Sequence, residues 1–277
     1  MNINPTLKLD CCNKKKLSIK LIIKKKPKKE TDYGIIAKDY NRFFVKCEKC
    51  GHFYAKHKKS LVKNLYKEKY FISTYKNKEK LKEQFSKIIN LPKSMSDNYK
   101  RIKRIKKFLS NNSKKNGISL LDVGSGMGVF PYIMSKNGFK VTSIEINKEQ
   151  CKFLNEISKN KIKVINSDFK IKQNFKRKFD IITMNKVIEH LENPSYMISR
   201  AKEYLKKDGI IYIEVPDTLA IKGSKRYLWE EFGLGHYHVF SKKSLSAFIE
   251  KNKLFVKKIK SIKEPSKKHT IYCFCCF

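Results

Sequence analysis

Arginine is scarce in this chain of 277 residues. Only six of its 64 basic residues are Arg (Arg42, Arg101, Arg104, Arg177, Arg200 and Arg226), so lysine carries nearly all of a formal net charge of +39. Phosphates and guanine edges are best gripped by the bidentate guanidinium fork, which an ammonium lacks. A lysine-rich, arginine-poor excess therefore argues against a dedicated nucleic-acid face, although the field would favour any anionic substrate. No run of about 18 apolar residues occurs, which excludes a membrane-spanning helix. The N-terminus shows no apolar stretch beside a small-residue cleavage site, so no secretory signal peptide is expected. The eight cysteines are then expected as reduced thiols, metal ligands or small buried groups in a reducing, cytoplasmic setting, not as disulfides. At 40% hydrophobic and 12% aromatic residues the chain can bury a core, which excludes global disorder.

The pattern changes twice along the chain. Residues 1–58 are lysine-rich, hold four of the cysteines and offer short β-prone runs at Leu17–Ile23 and Phe43–Val45, as expected of a small cysteine-containing module. Residues 59–115 read as a helical linker or cap. From Asp97, a candidate N-cap, Tyr99, Ile102, Ile105, Phe108 and Leu109 recur at helix spacing. The Asn- and Ser-rich stretch at 111–117 marks a boundary. Residues 116–277 form the third segment, in which apolar runs alternate with helical patterns. Strands are expected at Ile118–Val123, Lys140–Ile146, Ile162–Ile165, Phe179–Met184, Gly209–Val215, Phe255–Ile262 and His269–Phe274. Such alternation implies right-handed βαβ units and an α/β fold: a Rossmann-like, mostly parallel seven-stranded sheet with helices on both faces.

The first of these strands runs into Asp122-Val123-Gly124-Ser125-Gly126-Met127-Gly128 and a helix follows, the context that a nucleotide-binding loop requires. Glycine permits the sharp turn and the close approach of backbone to ligand. The spacing is G-x-G-x-G, and Val129 stands where a dinucleotide fingerprint has its third Gly or Ala.

This pattern resembles motif I of the class I S-adenosylmethionine-dependent methyltransferases, and the likeness extends over roughly residues 100–262. It implies S-adenosylmethionine as cofactor, bound by Asp122, Gly124, Gly126 and Gly128 at the bend. Asp122 would favour the cationic methionine end, where a pyrophosphate would be repelled. Glu145, at the end of the second strand, would accept the ribose hydroxyls, with Ile146 packing on adenine. Asp168 would accept from the adenine amino group beside Phe169. Asn185 ends the fourth strand near the methyl group, and His190 falls on the cofactor side.

The segment Asn185–Pro194 resembles small-molecule members of the ubiquinone-biosynthesis type and their sugar-modifying relatives. The former carry a Glu-x-x-Glu-His metal site. Here Lys186 replaces the first Glu, and an ammonium cannot ligate a cation. The Pro-Pro-aromatic stretch of nucleobase-amine methyltransferases is absent. In similar enzymes the Gly233–Ser241 segment lies near the acceptor, so His236 or His238 is a candidate general base, with Glu189 a further catalytic candidate. The implied reaction is methyl transfer to a small-molecule acceptor, such as a sugar or glycan precursor, by in-line displacement. Its alternatives are an RNA or protein methyltransferase using the basic N-terminal half, and a non-catalytic cofactor-binding scaffold.

Cys47-Glu48-Lys49-Cys50-Gly51 is a C-x-x-C-G knuckle of the kind that presents two thiolates to zinc. It resembles the N-terminal zinc ribbon that precedes some sugar C-methyltransferase-like cores, whose other pair is also C-x-x-C. Only adjacent Cys11 and Cys12 are available here. Either Cys47 and Cys50 hold a structural zinc ion with Cys11 or Cys12 and His52, or the module is a metal-free remnant.

Overall fold

The computed structural model describes residues 12, 16–27, 30, 40–57, 70–110, 117–221 and 235–277. Cys11, Gly233 and Leu234, the linker residues 59–69 and the boundary stretch 111–116 lie outside the described residues.

Strands β1 (Leu17–Ile23), β2 (Arg42–Cys47) and β3 (Phe53–His57) open the chain, followed by helices α1 (Tyr70–Tyr75), α2 (Lys78–Ile89) and α3 (Asp97–Ser110). The alternating part contributes β4 (Ser119–Val123), α4 (Val129–Lys136), β5 (Lys140–Glu145), α5 (Lys148–Ser158), β6 (Lys163–Asn166), β7 (Phe179–Asn185), α6 (Ser195–Tyr204) and β8 (Leu205–Pro216). It closes with β9 (His238–Val239), α7 (Lys242–Lys251), β10 (Phe255–Lys263) and β11 (His269–Cys276).

Seven strands form one sheet in the order β10-β11-β8-β7-β4-β5-β6. The strands from β8 to β6 run parallel, while β11 pairs antiparallel with both β8 and β10. The strand order reverses beside β4, which lies between β5 and β7. That reversal opens a crevice at the strands' carboxyl ends, the place where such sheets bind ligands.

The central strands are apolar on both faces because helices cover both. Leu121, Val123, Ile182, Met184, Ile211 and Ile213 meet Met197, Ile198 and Ala201 of α6 and Leu245, Phe248 and Ile249 of α7. On the other face Leu120, Ile181, Ile210 and Tyr212 meet Ile102, Ile105 and Leu109 of α3 and Phe130 and Met134 of α4. Helices α1 and α2 lie outside α4 and α5, where Phe85 packs edge-on to Phe153 and Tyr132.

Helix α3 begins one residue earlier than the sequence suggests. Ser96 is the cap, its hydroxyl accepting the N–H of Tyr99 at 3.2 Å. Asp97 instead accepts from the N–H and hydroxyl of Ser266. The inner face of α3 carries two cations into the sheet. Arg101 grips Glu214 Oε2 through Nε and Nη2 at 2.8 and 2.6 Å, and Arg104 reaches Glu214 Oε1 and Glu264 Oε1 at 2.5 and 2.8 Å. The Tyr212 hydroxyl donates to Glu214 as well. Burial raises the pKa of Glu214, but the two guanidiniums outweigh it and hold the carboxyl down at about 2.

A second sheet has the order β1-β2-β3-β9, all antiparallel. Its last strand comes from residues 238–239, so hydrogen bonding joins the N-terminal module to the third segment across the boundary expected at residue 58. Among the described residues no helix is long and apolar enough to cross a membrane.

Removing Glu214 would leave buried Arg101 without a carboxylate and Arg104 with Glu264 alone. Glu214→Ala is therefore expected to destabilise the fold by about 3–5 kcal/mol. Urea unfolding checks this, and a loss below about 1 kcal/mol, the range of exposed pairs, would contradict the clamp.

Candidate active site

β4 ends where its chain must turn sharply over the sheet. Gly124 has φ +70, and a Cβ there would lie 2.7 Å from Val187 Cγ2, so both backbone angle and space require glycine. Gly126, at φ +53, has no atom within 4 Å of a notional Cβ because it faces open space. The backbone here stands clear for a ligand to approach.

That space is a cavity of about 590 Å³ at the carboxyl ends of β4, β5, β6 and β7. Of the residues expected to bind cofactor, Gly124, Gly126, Glu145, Ile146, Asp168, Phe169 and His190 line it. Asp122, Gly128 and Asn185 do not. The carboxylate of Asp122 lies beneath the bend, where Oδ1 accepts from Thr183 Oγ1 at 2.6 Å and from Asn185 Nδ2 at 3.2 Å. Burial pushes its pKa up to about 6, against those hydrogen bonds. Asp122 is thus a brace between the ends of β4 and β7. Gly128 is packed against Leu154 instead of facing the cavity.

Glu145 accepts the N–H of Gly126 at 2.8 Å on Oε2 and that of Asn147 at 3.0 Å on Oε1. One carboxylate therefore ties the tip of β5 to the glycine bend and still borders the cavity. Burial raises its pKa against these backbone donors. Asp168 accepts the N–H of Lys170 at 2.9 Å, and Phe169 packs edge-on to Tyr204.

At the other end the wall comes from the chain after β7. Lys186 lines the cavity, and its backbone sits at φ +58, a strained conformation for a side-chain-bearing residue. Its Nζ donates to Thr270 Oγ1 at 2.8 Å, and burial pulls its pKa down against the pull of Glu214 and Glu189. The next turn buries Glu189 completely, and neither of its carboxylate oxygens is hydrogen-bonded to another residue. Burial pushes its pKa up to about 8, opposed by Lys186. His190 Nδ1 lies 3.0 Å from Gly235 O, so that nitrogen carries the hydrogen and Nε2 keeps the lone pair. Burial holds its pKa down at about 4, and the ring is neutral near pH 7.

His236 joins this group. Its ring packs edge-on to His190 with centroids 4.5 Å apart, and donor atoms of Glu189, His190 and His236 all lie within 4.8 Å of one another. His238 is not among them. Its Nδ1 lies 3.0 Å from His52 Nε2, and its ring is buried among His52, Tyr54 and Phe240, outside the residues that line the cavity. Strand pairing with β3 imposes that orientation, which sequence spacing could not reveal. Tyr75, Lys186, Glu192, Met197 and Tyr237 also line the cavity. Tyr75 comes from α1, and nothing in its local sequence marks it; Tyr237 lies inside the segment already singled out, between the two histidines.

The expected metal set also changes. Cys12, Cys47 and Cys50 bring their sulfurs within 4.8 Å of one another, with Cys12 and Cys47 at 3.7 Å. Tetrahedral zinc with Zn–S bonds of about 2.3 Å sets its sulfurs roughly 3.8 Å apart, so the three thiols fit such an ion. The knuckle is closed by Gly51 N–H to Cys47 O at 2.7 Å and Cys47 N–H to His52 O at 2.8 Å. His52 is not part of it: Nδ1 meets Ser244 Oγ at 3.2 Å and Nε2 meets His238. Its ring follows the strand's alternation to the far face. None of the described cysteines forms a disulfide.

Residues 96–254 match the family model of a methyltransferase domain. The ubiquinone biosynthesis O-methyltransferase of Pelagibacter ubique is 31% identical over 168 residues, covering 55% of this chain and 68% of that protein. Its namesake from Glaesserella parasuis is 30% identical over 120 residues, 39% of this chain and 51% of that one. The chain thus spans from about half to just over two thirds of the length of these relatives. Among solved structures, magnesium protoporphyrin IX methyltransferase from Synechocystis PCC 6803, with SAH bound, superposes with a TM-score of 0.54 at 13% identity, covering 75% of this chain and 99% of that one. The plantazolicin methyltransferase, also with SAH, gives 0.56 at 16% identity, covering 72% and 90%. At such identities these structures speak for the fold alone.

The Glu189 carboxyl yields a pH test. Its folded-state pKa lies above the ordinary 4.5, so its contribution to stability is complete below pH 4.5 and is lost as pH rises through 8. Glu189→Gln stays neutral and is expected to remove that decline, which at 1.36 kcal/mol per pKa unit comes to about 5 kcal/mol. Thermal unfolding across this range decides it, and parallel declines in both proteins would refute the assignment.

Proposed function

The chain belongs to the class I S-adenosylmethionine-dependent methyltransferases, and from that premise we propose that it methylates a small-molecule acceptor bound beside Lys186, His190, His236 and Tyr237. One observation carries this reading: the glycine bend, Glu145 and Asp168 converge on a single cavity of about 590 Å³, a size typical of small-ligand sites, which run to about 1,000 Å³. The open space over Gly126 fits close approach of the cofactor's backbone-contacting end. When bound, S-adenosylmethionine supplies a methyl group on a sulfonium, open to attack in line with the departing sulfur.

The residues divide the remaining work. Gly124 and Gly126 allow close approach, Glu145 has oxygens placed for the ribose hydroxyls, and Asp168 with Phe169 borders the adenine region. Asp122 holds the bend against β7, so the two halves of the cavity keep a fixed spacing, which is the main source of rate in such a transfer. The acceptor's proton would pass to the imidazole pair. His190 is neutral because of burial, with Nε2 as its accepting nitrogen, and His236 lies against it. Glu189 is protonated at neutral pH for the same reason, so it serves as a hydrogen-bond donor rather than as the primary base.

The relatives named for ubiquinone biosynthesis act on oxygen, which favours a hydroxyl acceptor here. A hydroxylated ring and a sugar or glycan precursor both belong to that class. We further read Cys12, Cys47 and Cys50 as ligands of a structural zinc ion, and the reduced cysteines as those of a cytoplasmic protein. The three segments 1–58, 59–115 and 116–277 then correspond to zinc module, cap and catalytic core.

Titration calorimetry with S-adenosylmethionine tests the premise. Gly126→Val and Glu145→Ala are each expected to weaken binding at least about tenfold, or 1.4 kcal/mol; unchanged affinity in both would remove the pocket assignment. With an acceptor found by screening a metabolite extract with labelled cofactor, His236→Ala should lower turnover about a hundredfold, within the range of lost general-base catalysis. His238→Ala should leave the rate close to wild type, and the reverse order would restore His238 as the base.

A further inference from the structure

The acceptor-side wall of the cavity is not held by the large sheet alone. Tyr237, which lines the cavity, donates its N–H to Glu189 O at 2.8 Å, and its carbonyl accepts the N–H of Ala55 at 2.8 Å. Ala55 belongs to β3, whose Phe53 and Tyr54 pair with Val239 and His238. The Tyr54 ring stacks on Tyr237 with centroids 6.4 Å apart. A strand of two residues such as β9 cannot hold its own position, because a short ladder recovers too little to offset backbone ordering. β3 supports it on one side, and on the other Phe240 O accepts the N–H of Thr218 at 2.9 Å.

β3 in turn grows out of the thiol knuckle. Cys50 O accepts the Ser241 hydroxyl, and His52 bonds both His238 and Ser244. A continuous set of contacts therefore runs from Cys47 and Cys50 through β3 to Tyr237 and Glu189. The cofactor half is built differently, on the ends of β4, β5 and β6 in the other sheet.

We propose that a zinc ion held by Cys12, Cys47 and Cys50 fixes the acceptor-side wall through β3, so that metal occupancy governs the order of residues 235–241 and leaves cofactor binding untouched. This rests on reading the thiol cluster as a zinc site. Binding converts the thiols to thiolates and releases their protons to solvent, and its free energy is available to order the segments attached to the knuckle.

Hydrogen exchange of the full-length protein tests this, comparing zinc-loaded with chelator-stripped protein. Stripping is expected to speed exchange of the Tyr237 and Val239 amides at least about tenfold. Peptides from β4 and β5 should be unchanged, and affinity for S-adenosylmethionine should stay within about twofold. A second variant, Ala55→Pro, deletes the donor to Tyr237 without touching a thiol. It should loosen residues 235–241 to the same degree while one zinc per chain is retained by emission spectrometry.

Unchanged exchange at 235–241 after stripping, or in Ala55→Pro, would overturn the coupling and leave the zinc reading intact. Loosening that spread to β4 and β5 would overturn it too, as the effect would be global. Protein that takes up no zinc would overturn both, whereas a failure of cofactor binding in the loaded protein would count against the methyltransferase pocket instead.

Discussion

The Asp122 carboxylate under the glycine bend is the constraint on which the site depends. By accepting from Thr183 and Asn185 it joins the carboxyl end of β4 to that of β7, the neighbouring strand across the reversal of sheet order. The chain after β4 makes the glycine bend, and the chain after β7 makes the wall proposed to face the acceptor. Their spacing is set by the parallel ladder that pairs β4 with β7 up to Val123 and Met184, and the buried Asp122 group adds side-chain bonds at its end. A carboxylate in water would be a poor anchor, since solvent competes for each bond. Here burial removes that competition, at the cost of a raised pKa that the two donors partly offset.

The acceptor half shows the same economy of burial. Donor atoms of Glu189, His190 and His236 gather within 4.8 Å of one another, and Lys186 occupies the strained position from which the wall begins. Withdrawal from water moves Glu189 and His190 in opposite directions, the carboxyl toward its acid form and the imidazole toward its base form. Both become neutral near pH 7. A site for in-line methyl transfer gains from this, because the approaching sulfonium carries the charge and its surroundings need only accept a proton from the acceptor.

The N-terminal sheet changes what counts as the catalytic unit. Arg101 and Arg104 of α3 pin the cap to Glu214 of β8, and β3 supplies the strand with which β9 pairs. Helix α1 delivers Tyr75 to the cavity from the same half of the chain. The residues before β4 thus contribute wall, support and clamp, although the strand and helix alternation begins only after them.

Much of this was legible in the residues. The apolar runs marked the seven strands within four residues of their observed ends, most clearly for the central ones, which lie between two helix layers and are apolar on both faces. The glycine spacing and the acidic strand ends located the cavity, since backbone angle and close approach restrict the residue type locally. What the sequence left undecided was direction. Spacing placed Asp122 at a strand end but could not show that it turns inward to Thr183. It offered His236 and His238 equally, and only the pairing of β9 with β3 turned one toward His190 and the other toward His52. The same pairing carried His52 away from Cys47 and Cys50. Which face a side chain takes depends on a partner strand more than 180 residues distant, and no local pattern encodes a contact of that range.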